Sequence, residues 1–435
     1  MQNNFRFPLL QDADLKGKIV LVRVDHNVVK KGIIHDPYRI DATMGTLYYI
    51  NAKGGKIILM THVGRPKNKK TGEIMIDEDS SVQPIVDYLQ NKLHITLKVP
   101  EFQAHGQQGY LGIETSINHL IRDLRENEID GIYLPNTRWF SGEEDKGEGA
   151  DRFAYQLAGL ADIYVNDAFG SWQAHASTVR VTKYLPSYAG FLMQNEIANL
   201  DRIFQPERPF VAVVAGAKFD TKIDSLNALI KVCDKLILGG VIYNAYLCAK
   251  YGFEIKGIEP DDMEHARAFV EFEKEYPGKL IELPFIIESD TMEGKLEGQY
   301  RTHDVRKLKR GTKLNYVLDA DAASFHEPAV LDVFKTARTV FVNAVMGYTP
   351  HFNDGTIALD ELIDKNPAAV KLYGGGDTMQ ELKRLLPGLY IVAIDNPMYY
   401  IFTGGGAVLK AIQENSVYGL EPVKALMAQN GSKEM

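Results

Sequence analysis

The segment Lys371–Leu382, KLYGGGDTMQEL, ends an apolar run with three consecutive glycines and continues directly into a stretch of helical character. Because glycine tolerates positive φ, this run could be no more than a tight turn. A glycine run at the start of a helix also exposes backbone N–H groups and the positive end of the helix dipole, and both suit a phosphate group. The segment therefore predicts a strand–loop–helix unit, with a turn and an anion site as alternative interpretations of its glycines.

The same alternation of apolar runs and helix-length intervals recurs along most of the chain. Continuous apolar runs separated in this way are typical of parallel sheets that are buried on both faces. Such sheets bind ligands at the carboxyl ends of their strands. The pattern predicts an α/β fold of parallel β-sheets flanked by helices, with strands within Lys18–Asp25, Lys56–His62, Gly131–Asn136, Asp162–Asp167, Pro209–Gly216, Lys235–Gly240, Asn315–Ala320, Thr339–Gly347, Ala369–Gly376 and Tyr399–Gly406.

Bulk properties exclude several classes of protein. The net charge of −8 argues against a general nucleic-acid binder, which usually carries a basic excess. No apolar run reaches the roughly 18 residues of a membrane span and the N-terminus has no signal pattern, so we expect a cytoplasmic protein without a membrane partner. The two cysteines, Cys233 and Cys248, are too few for a disulfide framework or a four-ligand zinc site, and we expect buried thiols.

A chain of 435 residues is too long for one ordinary core, so two or three domains are expected from length. The segment Gln205–Val211, QPERPFV, places two prolines around a charged pair just before a predicted strand. This pattern predicts a first domain over residues 1–194, a connecting helix and hinge over 195–208, a second domain over 209–412 and a tail over 413–435.

Cationic and polar side chains cluster at the ends of the first four predicted strands. A single surface arginine is normally solvated, and some of these groups could instead pair with Asp25, Asp167, Glu143 or Glu144. Their recurrence at successive strand ends favours a pocket for a small, multiply anionic ligand, with bidentate contacts from arginine. The residues predicted to line this pocket are Arg23, Asp25, Asn27, Arg39, His62, Arg65, Arg138 and His175.

The second half offers lysines and glycines. Lys218 and Lys222 lie four residues apart, a spacing that puts both amines on one face of a helix, where an anion between them would relieve their repulsion. Further strand ends carry Gly239, Asn343 and Gly374–Gly376. No Walker pattern and no dinucleotide fingerprint is present, so this half predicts a nucleotide-phosphate site of neither common type.

Seven motifs taken together resemble the phosphoglycerate kinase family. In chain order they are RVDHN, HVGRPK, NTRWFSGEE, VNDAFG with AHAS, ERPFVAVVAGAKFDTKI, GGGDT and TGGGA, and they run from about residue 15 to residue 410. The resemblance implies two Rossmann-like domains joined by a hinge, with residues 413–435 packing back on the first domain. It also implies a monomeric enzyme that transfers a phosphoryl group reversibly between ATP and the carboxylate of 3-phosphoglycerate, with Mg²⁺.

The resemblance also implies roles for the matched residues. Those of the first half bind the acceptor, and the nucleotide-side groups are Lys218, Lys222, Gly239, Asn343, Gly374, Gly375, Gly376, Asp377 and Thr378, with Asp377 holding Mg²⁺. Because the acceptor carboxylate is already ionised, no general base is needed, and Arg39 and Lys218 are the predicted catalytic groups that neutralise the transferring phosphoryl group. Domain closure would bring the ligands together and expel water.

Four departures from the family pattern keep other functions open. The segment VNDAFGSWQAHAS is one residue short and has Trp172 or Gln173 where the family has a substrate arginine. DADAAS (Asp319–Ser324) and VNAVMGYTP (Val342–Pro350) each lack a Gly-Pro turn, and Pro350 stands at the place of a ribose-binding glutamate. His26 replaces a phenylalanine. A paralogous kinase with an altered acceptor or nucleotide, and a non-catalytic binder of phosphorylated ligands, therefore remain as alternatives.

Overall fold

A computed structural model describes residues 5–431 of the chain; residues 1–4 and 432–435, which are the outer ends of the predicted first domain and tail, lie outside the described residues. The chain forms two compact units. Unit 1 comprises residues 5–198 and 418–431, and unit 2 comprises residues 199–417. The predicted connecting segment overlaps a helix, Phe191–Phe204, and the boundary between the units falls within that helix.

Unit 1 is built on a six-stranded parallel sheet. The strands of unit 1 are β1 (Ile19–Val24), β2 (Val29–Lys30), β3 (Ile33–Ile34), β4 (Lys56–Met60), β5 (Leu97–Lys98), β6 (Gly131–Tyr133), β7 (Ile163–Asp167) and β8 (Ser187–Ala189). Its helices before the boundary are α1 (Tyr38–Asp41), α2 (Met44–Ala52), α3 (Gln83–Leu93), α4 (Ile117–Glu126) and α5 (Glu148–Ala158), and α6 (Phe191–Phe204) contains the boundary. The sheet order is β5–β6–β4–β1–β7–β8, and β2 and β3 form a separate antiparallel pair.

The central strand β1 shows why its sequence is continuously apolar. All six of its residues are buried. Ile19 and Leu21 pack into one hydrophobic core, whereas Val20 and Val22 pack into another. Because successive side chains of a strand point to opposite faces, the two cores cover the two faces of the sheet.

Unit 2 contains a five-stranded parallel sheet and a smaller antiparallel one. Its strands are β9 (Phe210–Gly216), β10 (Lys235–Gly239), β11 (Glu254–Ile255), β12 (Phe285–Ser289), β13 (Tyr300–Asp304), β14 (Lys313–Leu314), β15 (Tyr316–Ala320), β16 (Thr339–Asn343), β17 (Val370–Gly374) and β18 (Tyr399–Phe402). The parallel order is β10–β9–β16–β17–β18, the antiparallel order is β13–β12–β15, and β11 pairs with β14.

The remaining helices complete the fold. They are α7 (Ile223–Val232), α8 (Gly240–Tyr251), α9 (Pro260–Glu273), α10 (Pro328–Thr336), α11 (Asp354–Asp364), α12 (Gly376–Leu385), α13 (Pro387–Asp395), α14 (Gly405–Gln413) and α15 (Glu421–Gly431). The last of these lies in the stretch of the tail that belongs to unit 1. No helix in the described part of the chain is long and apolar enough to cross a membrane. Cys233 and Cys248 are free and buried, as predicted.

The α/β prediction is confirmed, with one strand misplaced. The run Asn315–Ala320 was expected in a parallel sheet, but β15 pairs antiparallel with β12 in the smaller sheet. The expectation was wrong because a short buried strand has the same apolar sequence pattern in a parallel and in an antiparallel sheet. The other predicted runs lie in the two parallel sheets.

Each parallel sheet reverses its strand order once beside its first strand. In unit 1, β4 flanks β1 on one side and β7 on the other; in unit 2, β10 and β16 flank β9 in the same way. In open α/β sheets the crevice at such a reversal, outside the carboxyl ends of the strands, is where ligands bind. The fold thus offers one potential site in each unit.

Candidate functional site

The carboxyl edge of the unit 1 sheet gathers the eight residues predicted from the first half; we call this cluster the cationic site. They follow different strands, but because those strands are parallel their ends meet at one edge. Arg23 and the residues after it follow from β1, Arg39 from α1, His62 and Arg65 from the end of β4, Arg138 from a 3₁₀ turn after β6, and His175 from the segment after β7. Which ligand they bind stays a prediction.

Asp25 leaves one carboxylate oxygen available at this site. Its side chain is only 4% exposed, and its Oδ2 lies 3.4 Å from Nη1 of Arg39. Its Oδ1 is buried and has no hydrogen-bond partner among the described residues. Leaving a buried acceptor unsatisfied is costly, so this oxygen favours a ligand that brings a hydrogen-bond donor.

Arg138 is held from two sides. Its Nη1 donates to the carbonyl oxygen of Gly64 at 2.6 Å, and the N–H of Gly64 donates to Oδ1 of Asn27 at 2.9 Å. Its Nε lies 3.0 Å from Oε1 of Glu144, but the N–H does not point at that oxygen and makes no hydrogen bond. Nε2 of His175 lies 4.0 Å from the same Oε1. A structural ion pair with Glu144, one of the alternatives raised by the sequence, is therefore present beside the site.

The two histidines of the cationic site are held neutral. Burial lowers the pKa of His62 well below its ordinary value, and the neighbouring guanidinium groups of Arg23 and Arg138 lower it further. Burial also lowers the pKa of His175, against the opposing effect of Glu144. The positive charge of the site at neutral pH thus comes from arginine.

Arg23 differs from the other predicted substrate residues. It is fully buried, because the alternation along β1 places its side chain on the same face of the sheet as Ile19 and Leu21, which is covered by a hydrophobic core. Its guanidinium donates to the hydroxyl of Ser177, to the carbonyl of Val24 and to the ring of His62. The predicted direct contact of Arg23 with a substrate is not supported by this placement, since all three of its nitrogens are engaged below the surface.

Unit 2 contains a cavity of about 810 Å³ at the carboxyl edge of its parallel sheet, which we call the glycine-lined cavity. Six of the nine predicted nucleotide residues line it: Lys222, Asn343, Gly375, Gly376, Asp377 and Thr378. Lys218, Gly239 and Gly374 are not among its lining residues. Gly374 is buried at the end of β17, where its carbonyl accepts a hydrogen bond from Asn343, and Gly239 packs against Met346.

Glycine is required at two of the lining positions. Gly375 has φ +134°, and a Cβ there would lie 2.8 Å from Nδ2 of Asn343 and 2.9 Å from Oγ1 of Thr378. A Cβ on Gly405 would lie 2.4 Å from Cα of Gly375. The two glycine loops therefore approach each other too closely for side chains.

Two helices begin at this cavity. Helix α12 starts at Gly376 and helix α14 starts at Gly405, and neither N-terminus is capped by a side chain. The first N–H groups of a helix lack partners within it and carry the positive end of the helix dipole. Two such ends facing one cavity make it suited to an anion. The anion interpretation of the glycine run is thus favoured over a simple turn.

Lys222 is the cation at this end of the cavity. Its Nζ donates to Oδ1 of Asn343. Burial lowers the pKa of Lys222 to about 8, although Asp377 acts in the opposite direction. A partly desolvated ammonium group of this kind gains from an incoming anion, which would stabilise its charged form.

The predicted helical arrangement of Lys218 and Lys222 is wrong. Helix α7 begins only at Ile223, so both lysines lie in the turn before it. The N–H of Phe219 donates to Oδ1 of Asp262 at 2.6 Å, and the buried Phe219 ring anchors the turn. As a result Lys222 faces the cavity, whereas Lys218 is exposed.

Sequence reasoning missed part of the cavity. Gly405 and Gly406 repeat the strand–glycine–helix signal of Gly375 and Gly376, and the TGGGA motif could have identified them. The far end reaches the antiparallel sheet and is lined by Lys256, Met292, Tyr316, Leu318 and Tyr348. These residues come from scattered segments without a shared pattern, so no sequence signal connects them.

Comparison with known proteins identifies the family. The family model described as phosphoglycerate kinase matches residues 10–415. The chain belongs to the phosphoglycerate kinase family. A phosphoglycerate kinase of Desulforudis audaxviator is 33% identical over 425 residues, which cover 94% of this chain and 97% of that protein. One from Dictyoglomus turgidum is 32% identical, with coverage of 94% and 96%.

Solved structures of phosphoglycerate kinases have the same fold. The enzyme of Coxiella burnetii superimposes with a TM-score of 0.73 at 25% identity, covering 99% of this chain and 100% of that one. That of Pyrococcus horikoshii gives 0.77 at 22% identity, with coverage of 98% and 99%, and supports the fold alone. Family membership thus extends over nearly the whole chain despite the departures at Gln173 and Pro350.

Proposed function

We propose that this protein transfers a phosphoryl group reversibly between ATP and the carboxylate of 3-phosphoglycerate, the reaction for which its relatives are named. It is then a phosphotransferase with a carboxyl group as acceptor. What supports the proposal is that each unit brings together groups suited to an anion at the reversal of its sheet. One site is made of guanidinium groups and the other of backbone amides.

The acceptor binds at the cationic site. Arg39, Arg65 and Arg138 contact its phosphate and carboxylate groups, for which the forked guanidinium is suited. The free Oδ1 of Asp25 accepts a hydrogen bond from the acceptor's hydroxyl group. An acceptor with two anionic groups and one hydroxyl group thus matches what these side chains offer.

The nucleotide binds in the glycine-lined cavity. Its phosphates approach the N-termini of α12 and α14, with Lys222 beside them, and its nucleoside lies toward the apolar end at Leu318 and Tyr348. ATP and ADP are the co-substrates used in this family, generally with Mg²⁺.

Asp377 is the residue that would hold Mg²⁺. The described residues contain no cluster of three or more His, Cys, Asp or Glu side chains that could hold a metal by themselves. Mg²⁺ commonly binds through one or two carboxylates together with substrate phosphates and water. A single carboxylate on the first turn of α12 therefore fits a metal that arrives with the nucleotide, and the metal would neutralise charge on its phosphates.

The chemistry needs alignment and charge neutralisation rather than proton transfer. The acceptor carboxylate is ionised at neutral pH, so it attacks the terminal phosphorus without a general base. Arg39 in unit 1 and Lys218 in unit 2 stabilise the negative charge of the transferring group. An exposed Lys218 is free to follow the phosphoryl group, whereas Lys222 is fixed by Asn343.

A coupled assay with 3-phosphoglycerate and Mg-ATP tests the proposal. Turnover at ordinary kinase rates supports it. We expect a high KM for 3-phosphoglycerate, because Gln173 cannot supply the missing arginine contact. Turnover only with another acid or another nucleotide would replace it with the paralogous kinase. Binding of both ligands without turnover would favour a non-catalytic binder. Sedimentation analysis in the same buffer tests the expectation of a monomer.

A further inference from the structure

Arg23 makes three hydrogen bonds although it touches no solvent. Its Nε donates to Oγ of Ser177 at 2.9 Å, its Nη1 donates to the carbonyl of Val24, and its Nη2 lies 3.2 Å from Nδ1 of His62. The relative exposure of Arg23 is 0%. A direct contact with a ligand would require Arg23 to abandon buried acceptors, which is costly.

The contact with His62 determines the protonation of that ring. A guanidinium group is always a donor and does not lose its proton in proteins. Nδ1 of His62 must therefore be the acceptor, so it carries no proton, and a neutral ring then has its proton on Nε2. Oγ of Ser171, at 3.5 Å, lies on the same Nδ1 side. Nε2 has no hydrogen-bond partner within residues 5–431 and remains available to a ligand.

Arg23 is itself fixed by a buried carboxylate. Oγ of Ser177 donates to Oε1 of Glu143 at 2.6 Å, and the N–H of Ser177 donates to Oε2 at 3.0 Å. Glu143 is fully buried, so its negative charge compensates the charge of Arg23 across one serine. The chain of contacts from Glu143 through Ser177 and Arg23 to His62 is complete without any ligand.

We propose that Arg23 is a positioning residue that fixes His62 as a neutral hydrogen-bond donor, with its Nε2–H directed to the anionic acceptor. The proposal rests on the proposed function in that the acceptor is taken to be 3-phosphoglycerate. It replaces the expected role of Arg23 as a direct ligand. His62 then contributes a hydrogen bond to the acceptor but no charge.

The surroundings of His62 keep this state over a wide pH range. The charged and titratable groups that face it are Arg23 from β1, Arg39 from α1, Arg138 from the turn after β6 and His175 from the segment after β7. All four are cationic or become cationic when protonated, so each opposes protonation of His62. We therefore expect no titration of His62 between pH 8 and pH 6.

Nitrogen NMR of the unliganded protein with ¹⁵N-labelled histidine tests the tautomer directly. A His62→Gln variant identifies the His62 signals by their loss. We expect the pattern of a neutral ring protonated at Nε2, unchanged from pH 8 to pH 6. A proton on Nδ1, or a titration with an ordinary midpoint, overturns the proposal. Because no ligand and no turnover are involved, this result is independent of whether the proposed function holds.

Kinetics of Arg23→Met test the role in binding. Losing one hydrogen bond to a charged or oriented group is expected to raise KM for 3-phosphoglycerate about tenfold at pH 8, with a smaller change in kcat. Burial and the guanidinium groups of Arg39 and Arg138 still oppose protonation of His62 in this variant, so the ratio of variant to wild-type KM should stay the same toward pH 6. Using the ratio removes the titration of the ligand's own phosphate.

Val22→Ala is the matched control. Val22 is a fully buried neighbour on β1, and its truncation costs packing without touching His62. Its ratio of variant to wild-type KM is expected to stay near one. A ratio near one for Arg23→Met as well would show that Arg23 acts only through stability, and would overturn the positioning role. Should Arg23→Met fail to fold, the NMR result on the unaltered protein decides alone.

Discussion

The two sites proposed to bind anions are built in opposite ways. The cationic site of unit 1 consists of long charged side chains, one of which, Arg23, is fixed by the buried partners Ser177 and Glu143. The glycine-lined cavity of unit 2 uses backbone amides at the starts of α12 and α14, and it depends on the absence of side chains at Gly375 and Gly405. Side-chain recognition is lost when atoms are removed, whereas backbone recognition is lost when atoms are added.

Buried carboxylates in this molecule have two kinds of surroundings. In unit 1 the buried Asp25 faces Arg39, and Glu143 is linked to Arg23 through Ser177. In unit 2 Asp360 is buried, and within residues 5–431 its one hydrogen-bond partner is the hydroxyl of Tyr373, which donates to Oδ1 at 3.0 Å. The carboxylates of Asp25 and Glu143 are thus placed close to a cation, whereas burial raises the pKa of Asp360.

The largest expected effect belongs to Lys218, the one unit 2 side chain proposed to act by charge on the phosphoryl group. Lys218→Ala should lower kcat by at least about 100-fold, because the group stabilises charge that develops during transfer. Its side chain is exposed, so the midpoint of unfolding should not change. The coupled assay and thermal unfolding measure both. Lys309→Ala, at another exposed lysine of unit 2, serves as control, and a near wild-type rate for Lys218→Ala would refute the role.

Gly376→Ala tests backbone recognition by adding one methyl group. A Cβ at Gly376 meets no protein atom within 4 Å and the backbone there does not need glycine, so the empty protein should fold normally. If the phosphates approach this amide, the methyl group displaces them, and the loss of about one charge-assisted hydrogen bond raises the nucleotide KM about 10- to 100-fold.

The control for this change is Gly388→Ala on α13, where a Cβ also meets nothing within 4 Å. Both variants should keep the KM for 3-phosphoglycerate. An unchanged nucleotide KM in Gly376→Ala would mean that the phosphates lie elsewhere in the cavity. Isothermal titration with ADP gives the same comparison without turnover.

Asp360→Asn sharpens the comparison of buried charge. Burial raises the pKa of Asp360 to about 7. Because the folded pKa lies above the unfolded one, the contribution of Asp360 to stability is complete below about pH 4 and is lost as pH rises through 7. Between pH 5 and 8 the free energy of unfolding should therefore fall by about 2 kcal/mol. The asparagine variant should lack this part of the pH dependence.

Denaturant unfolding at several pH values measures the difference between wild type and variant. The exposed Asp220→Asn should retain the wild-type slope, since Asp220 is not buried. Equal slopes for wild type and Asp360→Asn would show that Asp360 is ionised in the folded protein.

The smallest expected effect restores a cation to unit 1. The side chain of Gln173 is exposed. Its backbone carbonyl accepts a hydrogen bond from the hydroxyl of Thr178 at 2.7 Å, which fixes the backbone. Gln173→Arg should lower the KM for 3-phosphoglycerate a few-fold, and less than a preorganised arginine would, because ordering the new side chain costs entropy. The nucleotide KM should stay the same. An unchanged KM for 3-phosphoglycerate would show that position 173 points away from the acceptor.

Much of the fold could be predicted from local patterns. Apolar runs such as Ile19–Val24 identify strands because burial on both faces leaves no room for polar alternation. Residues at the carboxyl ends of the strands, such as Asp25 and Asn343, could be assigned to the sites because parallel strands end at one edge. The antiparallel pairing of β15 was missed, because an apolar run does not specify which strand pairs with it.

The sequence by itself determined which segments are strands, where runs of glycine occur and which chemical groups lie at the strand ends. Each of these depends on neighbours along the chain. Only the tertiary structure decided that Arg23 lies below the cationic site, that Lys222 rather than Lys218 faces the cavity, and that Tyr316 and Tyr348 line its far end. Those outcomes depend on packing between segments distant in sequence, through contacts such as Phe219 with Asp262 or Arg23 with Ser177. Burial of a side chain is a property of what covers it, and the covering residues come from elsewhere in the chain.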